Sequence, residues 1–262
     1  MRTNNPRAVA KSLSLTAWRT SYDADTGKAH LHVDVAFKVG RLGDKPEDKV
    51  EFEFHLNGAE VRIRKDPTKS LQIIPETVLK PRLPHVSAKV EICRKDDSSV
   101  EGGGALKPTS ASAEGKASKG KSTTTKVSFD YERMDGPGFD THFDNEYVAF
   151  EILPQTDSDS IGGRPWDSSE SVLSIRDRDY SVNKSIKSEV VIQVICRMEN
   201  IVIPEETVRL KEGKPFASLF RDQRVVALQA LKAEVLQLGL ECGDISERFA
   251  EMMIADVVTG ED

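Results

Sequence analysis

The sequence is poor in cysteine, in aromatic residues and in long apolar runs. Three cysteines, Cys93, Cys196 and Cys242, are too few and too widely spaced for a disulfide framework or a Cys-x-x-Cys metal site. No apolar run approaches the roughly 20 residues of a membrane-spanning helix. The first 18 residues also lack the apolar segment of a secretory signal. These absences predict a cytoplasmic protein that has no membrane partner.

Charge is unevenly distributed along the chain. The 262 residues carry a net charge of −6, which argues against a surface built to coat nucleic acid. Residues 1–22 nevertheless contain four basic residues and no acid, whereas residues 241–262 carry seven acids and one arginine. The simplest interpretation is that both ends are solvated, since termini are usually exposed and polar. The opposite charges can also attract each other, or attract a second copy of the chain.

The N-terminal part has the period-two pattern of half-buried strands. In residues 29–39 the apolar positions alternate with polar ones, and residues 49–65 alternate in the same way. Asn57-Gly58 stands between two alternating runs, and this dipeptide is a strong signal for a two-residue hairpin. The sequence therefore predicts a β-hairpin that turns at Asn57 and Gly58.

Further strands are predicted on both sides of a segment of unusual composition. Gly, Ser, Thr, Ala and Lys dominate residues 96–125, which contain no aromatic residue, and this composition predicts a flexible linker or a long loop. Pro75, Pro81 and Pro84 indicate edge or interrupted strands before it. The other predicted strands are at 70–79, 85–95, 126–134, 146–153, 171–178 and 188–203.

The C-terminal part changes to a helical period. Between residue 215 and Leu240, apolar residues recur at steps of three and four and predict an amphipathic helix that ends near Gly239. Asp244 followed by Glu247 resembles a capping box and predicts a second, shorter helix. The apolar face of the first helix either packs on the protein's own sheet or binds a partner helix; its residues are Leu228, Leu231, Val235 and Leu238.

These patterns predict a mainly β protein with two antiparallel, sandwich-like β units and a C-terminal pair of α-helices. The predicted organisation is a first β unit with a basic arm (1–95), a linker or loop (96–125), a second β unit (126–214) and a helical segment with an acidic tail (215–262). In the alternative, a single larger β domain contains 96–125 as an insertion, and the flanking strands pair as a long-looped hairpin. Residues 71–80 and 201–211 also resemble each other weakly, as two related β units would.

One stretch, "GKASKGKS" at 115–122, matches the pattern of a phosphate-binding loop. Such a loop requires a buried strand before it and a helix after it, because the helix N-terminus binds the phosphates. Residues before 115 are polar and unpatterned, and the residues after Ser122 lead into a strand. The match is interpreted as a product of the low-complexity composition, so no nucleotide cofactor is predicted.

A second stretch, "HLHVD", contains three metal-ligand residue types on one strand face: His30, His32 and Asp34. It resembles the first ligand segment of the metallo-β-lactamase family, which implies a metal site in a hydrolase. The family has a further histidine directly after the aspartate, and this sequence has Val35 there. The three residues therefore remain candidate metal ligands beside the simpler interpretation, the polar face of a half-buried strand.

The basic residues suggest two kinds of partner. Contact with nucleic acid or another partner is predicted for one set: Arg2, Arg7, Lys11, Arg19, Arg62 and Arg64. The preferred function is a non-enzymatic binding or assembly subunit of a larger cytosolic complex, with self-association as a specific form. A nucleic-acid-binding protein is the alternative, and a metal-dependent hydrolase is the third. No cofactor, membrane partner or small-molecule substrate is predicted.

Overall fold

A computed structural model describes residues 7–46, 48–65, 70–83, 86–94, 123–131, 136–144, 146–155, 157–178, 180, 189–211 and 223–261. The chain divides into two compact units, one formed by residues 1–84 and 133–262 and the other by residues 85–132. The described part is mainly β and its sheets are antiparallel except at one short strand pair, which confirms the predicted fold class at this level.

Seventeen strands and one α-helix are present in the described residues. The helix α1 runs over Gln223–Gln237. The strands in chain order are β1 (Arg7–Ala8), β2 (Leu13–Arg19), β3 (Lys28–Phe37), β4 (Gly40–Leu42), β5 (Val50–Leu56), β6 (Ala59–Lys65), β7 (Leu71–Ile74), β8 (Val86–Arg94), β9 (Thr123–Tyr131), β10 (Gly138–Phe143), β11 (Tyr147–Leu153), β12 (Leu173–Asp177), β13 (Val190–Arg197), β14 (Ile201–Val202), β15 (Arg209–Leu210), β16 (Glu251–Val258) and β17 (Gly260–Glu261).

The larger unit contains two main sheets. One has the order β1-β16-β13-β6-β11-β10, and the other has the order β17-β2-β3-β12-β7. A smaller sheet is built around β5, which pairs with β4, β14 and β15. In the first sheet β6 pairs with both β11 and β13, so strands from the two predicted β units, 1–95 and 126–214, share one sheet.

Period-two patterning explains how these strands form the core. In β3 the side chains of Leu31, Val33 and Val35 are fully buried or nearly so, while the alternate positions lie on the other face. Strand β5 buries Phe52 and Phe54 in the same way. Both main sheets, the sheet around β5 and helix α1 contribute to one continuous cluster of buried side chains.

The hairpin predicted at Asn57 and Gly58 does not form. Strands β5 and β6 belong to different sheets, so the chain crosses from one sheet to the other at this dipeptide. The Asn57 N–H donates to the Asn200 carbonyl (3.0 Å), and an added Cβ at Gly58 would lie 2.6 Å from the Asn200 amide nitrogen. The close approach of Asn200, far away in sequence, accounts for the glycine. The hairpin prediction is wrong because an Asn-Gly turn also suits a tight crossing.

The first predicted C-terminal helix is present as α1. Gly239 follows it with φ +70°, and the N–H groups of Gly239 and Leu240 donate to the carbonyls of Leu236 and Val235. This is a Schellman motif, which favours glycine at the left-handed position. The glycine therefore ends the helix where the sequence predicts.

The prediction of a second C-terminal helix is wrong. The described C-terminal residues contain one α-helix and not a pair. Asp244 accepts hydrogen bonds from the backbone and hydroxyl of Ser246, which forms a turn that does not continue into a helix. The chain then enters β16, whose residues 252–257 are buried without alternation because the strand pairs with β1 and β13 inside the sheet. A short apolar run of this kind has no period that separates a buried strand from a helix.

The second unit contains the β8–β9 hairpin. The two strands pair antiparallel over nine residues each, from Val86 opposite Tyr131 to Arg94 opposite Thr123. This pairing agrees with the alternative in which the strands flanking 96–125 form a long-looped hairpin. Strand β9 begins at Thr123, within the C-terminal end of the predicted linker.

Candidate functional site

The three candidate metal ligands lie on one face of β3, and each has a separate partner. The Nδ1 atom of His30 lies 3.0 Å from the Ser174 hydroxyl, and His32 stacks on Trp18 with ring centroids 5.3 Å apart. Asp34 accepts a hydrogen bond of 2.7 Å from the Arg164 guanidinium. No group of three potential metal ligands converges within the described ranges.

Arg7, in the basic N-terminal arm, forms an ion pair within the chain. Arg7 donates from Nε to the Asp256 carboxylate (2.8 Å), and from Nη1 to the carbonyls of Leu238 and Gly239. This ion pair joins the N-terminal and C-terminal regions of one chain. Arg2 lies outside the described residues.

The other predicted basic contacts are scattered. Lys11 lies in a short 3-10 helix before β2, and Arg19 is buried with its guanidinium 4.5 Å from the centre of the Tyr22 ring. Arg62 binds the carboxylates of Glu60 and Glu251, whereas Arg64 makes a 3.5 Å ion pair at the surface. Arg62 is therefore neutralised by neighbouring carboxylates on its own sheet, and its side chain is only 16% exposed.

The apolar face of α1 lies against the chain's own core. Leu228, Leu231 and Val235 are buried, and Leu238 packs on the same cluster. The phosphate-loop match at 115–122 lies outside the described residues.

The β8–β9 hairpin is the most distinctive candidate site. Directly opposed residues of an antiparallel pair occupy the same face, so the register separates the hairpin's positions into two sets. The first set, called the apolar face, contains seven apolar residues, two threonines and one arginine: Val86 opposite Tyr131, Ala88 opposite Phe129, Val90 opposite Val127, Ile92 opposite Thr125, and, at one end, Arg94 opposite Thr123.

The second set is called the polar face. Its positions are Ser87 opposite Asp130, Lys89 opposite Ser128, Glu91 opposite Lys126, and Cys93 opposite Thr124. Two basic and two acidic residues balance its charge, and Glu91 and Lys126 occupy directly opposed positions. The hairpin is thus amphipathic where apolar and polar residues alternate, over 86–92 in β8 and 126–131 in β9, whereas residues 123–125 are all threonines and Arg94 ends β8.

The length and the edges of the hairpin restrict what it can do. At about 3.4 Å per residue, nine residues extend for about 30 Å. Within the described residues β8 and β9 pair only with each other, so each strand leaves one row of backbone N–H and C=O groups towards its outer edge. A hairpin of this kind favours pairing with further strands.

The sequence predicts both strands, but it does not show that their apolar residues lie on the same face of a hairpin. The alternation in 85–95 and 126–134 is visible in each strand separately, but only the register shows that the two apolar sets coincide. A one-residue shift would place apolar residues of one strand opposite polar residues of the other.

No helix among the described residues has the length and apolar character needed to cross a bilayer. Neither a protein-family model nor a curated protein sequence matches the chain. Two similar solved structures are toxins of Clostridium perfringens. The NetB toxin in its membrane-inserted form has a TM-score of 0.36 and 12% identity, and the match covers 80% of this chain and 90% of that one. The delta-toxin has a TM-score of 0.35 and 11% identity, over 76% of this chain and 77% of that one.

Both solved structures are named as toxins, whereas the sequence predicts a subunit of a cytosolic complex. The prediction of a non-enzymatic binding or assembly subunit of such a complex is therefore wrong. The same holds for its two alternatives, a nucleic-acid-binding protein and a metal-dependent hydrolase. The cytoplasmic location and the absence of a membrane partner remain predictions of the sequence.

Proposed function

We propose that this chain associates with copies of itself and inserts the β8–β9 hairpin into a lipid bilayer, so that it permeabilises the membrane. The observation that carries the proposal is the register of the hairpin, which collects seven apolar residues on one face and a charge-balanced polar set on the other. Alternation of apolar and polar positions is the pattern of strands that contact lipid on one side and water on the other.

The strand length supports the same function. A tilted strand needs about 9–11 residues to cross the hydrocarbon core of a bilayer, and β8 and β9 have nine each. The expectation of no membrane partner came from the lack of a long apolar run, a test that detects helices. Strands with alternating residues contain no such run, so that test did not address the hairpin.

Self-association follows from the hairpin's edges. In hydrocarbon each unpaired backbone N–H or C=O group costs several kcal/mol, so a single two-stranded hairpin is unstable there. Pairing with the hairpins of neighbouring copies satisfies these groups. The polar faces of the assembled hairpins then surround water.

A matched pair of variants in β9 tests the proposal. Val127→Arg places a cation on the apolar face, and Ser128→Arg places the same cation on the polar face one residue away. An arginine that faces lipid at mid-membrane costs about 2–4 kcal/mol. Dye release from vesicles should therefore fall at least about thirtyfold for Val127→Arg and stay close to wild type for Ser128→Arg.

The measurement uses the full chain with vesicles of phosphatidylcholine, with and without phosphatidylserine, and records the rate of dye release against protein concentration. Assembly of several copies predicts a rate that rises more steeply than linearly. Thermal unfolding of both variants provides the control for folding. Wild-type protein that releases no dye from either vesicle, or equal activity in the two variants, would refute the proposal.

A further inference from the structure

A cleft of about 740 Å³ lies between α1, the loop that joins β4 to β5, and the 3-10 helix Val9–Lys11. All of its described lining residues belong to the larger unit. Its volume falls within the range of about 300–1,000 Å³ that is typical of small-molecule sites.

Part of the cleft wall is apolar. The helix contributes the small side chains of Ala230 and Ala233, and the opposite wall contributes Val39, Leu42 and Val50. Val39 is 59% exposed, whereas Val33 and Val35 of the preceding strand β3 are buried. An exposed apolar side chain inside a concave surface favours a ligand with an apolar part.

Among the described lining residues, the rest of the wall contains four cations and three carboxylates. The cations are Lys11, Arg41, Lys45 and Lys49, and the carboxylates are Asp44, Asp48 and Glu234. Arg41 pairs with Glu51 and with Asp44, and the Asp48 carboxylate accepts the backbone N–H of Lys45. Within the described ranges the ammonium groups of Lys11 and Lys45 have no ion-pair partner, and they face one similarly unpaired carboxylate, Glu234.

Further charged residues surround the cleft. Lys211 donates from its ammonium group to the Lys45 carbonyl at 2.6 Å. The pKa of the Glu51 carboxyl is lowered, chiefly by its hydrogen bond from Arg41, and Arg209 and Lys211 contribute in the same direction. Two cations, Arg209 and Lys211, and two carboxylates, Glu51 and Glu53, therefore lie near Arg41 beyond the lining residues.

The backbone that carries Lys11 is strained. Ala10 and Lys11 have φ values of +50° and +52°, in the left-handed region that residues other than glycine rarely adopt. The buried Val9 before them and the buried Ser12 after them, whose hydroxyl donates to the Val9 carbonyl, hold this conformation. Strain of this kind concentrates at ligand sites, where the surrounding structure maintains it.

We propose that this cleft binds a phosphate-bearing amphiphile with a net negative charge, such as an anionic phospholipid. Lys11 and Lys45 bind the phosphate, and the apolar wall formed by Val39 and α1 receives the adjoining hydrocarbon. The two parts of the cleft together distinguish this ligand from free phosphate, which needs only the lysines, and from a zwitterionic lipid, whose cation the lysines repel.

Binding is measured by calorimetry on the full chain with three probes: monomeric dihexanoyl phosphatidylglycerol, monomeric dihexanoyl phosphatidylcholine, and inorganic phosphate. Phosphatidylglycerol should bind at least about tenfold more tightly than either of the others. Because the probes are monomeric and no vesicle is present, the result does not depend on whether the hairpin enters a membrane.

Charge and shape are tested with separate variants. Lys11→Glu and Lys45→Glu should each weaken phosphatidylglycerol binding about tenfold or more, while Lys28→Glu, an equal charge change on β3 outside the cleft, should not. Ala233→Phe fills the cleft from the exposed side of α1 and should abolish binding without altering charge. Glu234→Gln should strengthen binding because it removes the facing carboxylate.

Three outcomes would overturn the proposal. Equal affinity for phosphate and phosphatidylglycerol would mean that the apolar wall is not used. Equal affinity for the two lipids would mean that the lysines do not select charge. No binding of any probe would show that the cleft is not a site for this chemistry.

Discussion

Arg62 on β6 and Glu251 on β16 form two parallel hydrogen bonds across the intervening strand β13, with Nη1–Oε2 and Nη2–Oε1 distances of 2.9 and 2.6 Å. The same guanidinium donates from Nε to Glu60 and lies 5.2 Å from the centre of the Tyr147 ring on β11. One side chain therefore connects three strands that are not consecutive in sequence. Its geometry is the bidentate arrangement that arginine, unlike lysine, provides.

Replacing Arg62 should lower the free energy of unfolding more than replacing Glu251. Arg62→Ala leaves two carboxylates close together without their cation, and we expect a loss of about 2 kcal/mol in the free energy of unfolding. Glu251→Gln should cost about 1 kcal/mol or less, because the Glu251 side chain is 48% exposed and solvent screens the pair. Urea unfolding measures both. Arg64→Ala, at a more exposed pair, is the control and should change stability by less than about 0.5 kcal/mol.

The contribution of Glu251 should depend on pH. The hydrogen bond from Arg62 lowers the pKa of the Glu251 carboxyl below its usual value of 4.5. A lowered pKa in the folded state means that the stabilisation is fully present above the unfolded value and is lost as the pH falls through the folded value. The stability difference between wild type and Glu251→Gln should therefore shrink below about pH 4.5. A difference that stays constant down to about pH 3 would contradict this assignment.

Two alanines beside β1 should respond differently to glycine. Ala8 has φ −144°, an extended conformation, whereas Ala10 has φ +50°. Both are partly buried against the same core, so each loses a comparable methyl contact. Glycine relieves strain only at the left-handed position, so Ala10→Gly should be more stable than Ala8→Gly by about 1–2 kcal/mol. Equal thermal stability of the two variants would argue against the strained conformation.

The two tryptophans provide another matched comparison. The Trp166 indole N–H donates to the Val33 carbonyl at 2.7 Å, and its ring packs against Phe139 and Phe150 in the core. Trp18 stacks on His32 at a half-exposed position. Trp166→Phe should lower the free energy of unfolding by about 1–3 kcal/mol, from the lost hydrogen bond and the vacated volume. Trp18→Phe should lower the free energy of unfolding clearly less. If chemical unfolding shows the larger loss for Trp18→Phe, the packing described for Trp166 is contradicted.

Gly40 lies where the core leaves no room for a side chain. A Cβ at this position would lie 2.5 Å from the ring of Phe54, which is fully buried, and 2.8 Å from the Cβ of Ser12. Gly40→Ala should therefore destabilise the protein by about 1–3 kcal/mol. Gly162→Ala is the control because nothing lies within 4 Å of its added Cβ. Similar melting temperatures for the two variants would contradict the close contact.

The weak resemblance between 71–80 and 201–211 corresponds to a shared local structure. In both segments a strand is followed by a 3-10 turn that ends in a threonine, Thr77 or Thr207. Each hydroxyl donates back to a carbonyl three residues earlier and accepts a backbone N–H from another strand. The sequence similarity indicates this turn motif, although β7 and β14 belong to different sheets.

Sequence patterning by itself determined where most strands lie and where α1 ends. These features depend on interactions between near neighbours: alternate burial along a strand, the helical period, and the left-handed conformation of Gly239. The two strands of the hairpin were also predicted from the sequence, because an amphipathic strand records its two faces in its own residues.

Only the tertiary structure shows which strands pair. It also shows which residues come together at the candidate sites. The crossing at Asn57 depends on Asn200, and the arm residue Arg7 is fixed by Asp256, 249 positions away in sequence. The cleft joins a strained segment before β2 to a helix more than 200 residues later. Contacts between such distant segments leave no local period in the sequence, because the free energy that selects them arises only when the whole sheet and its core form together.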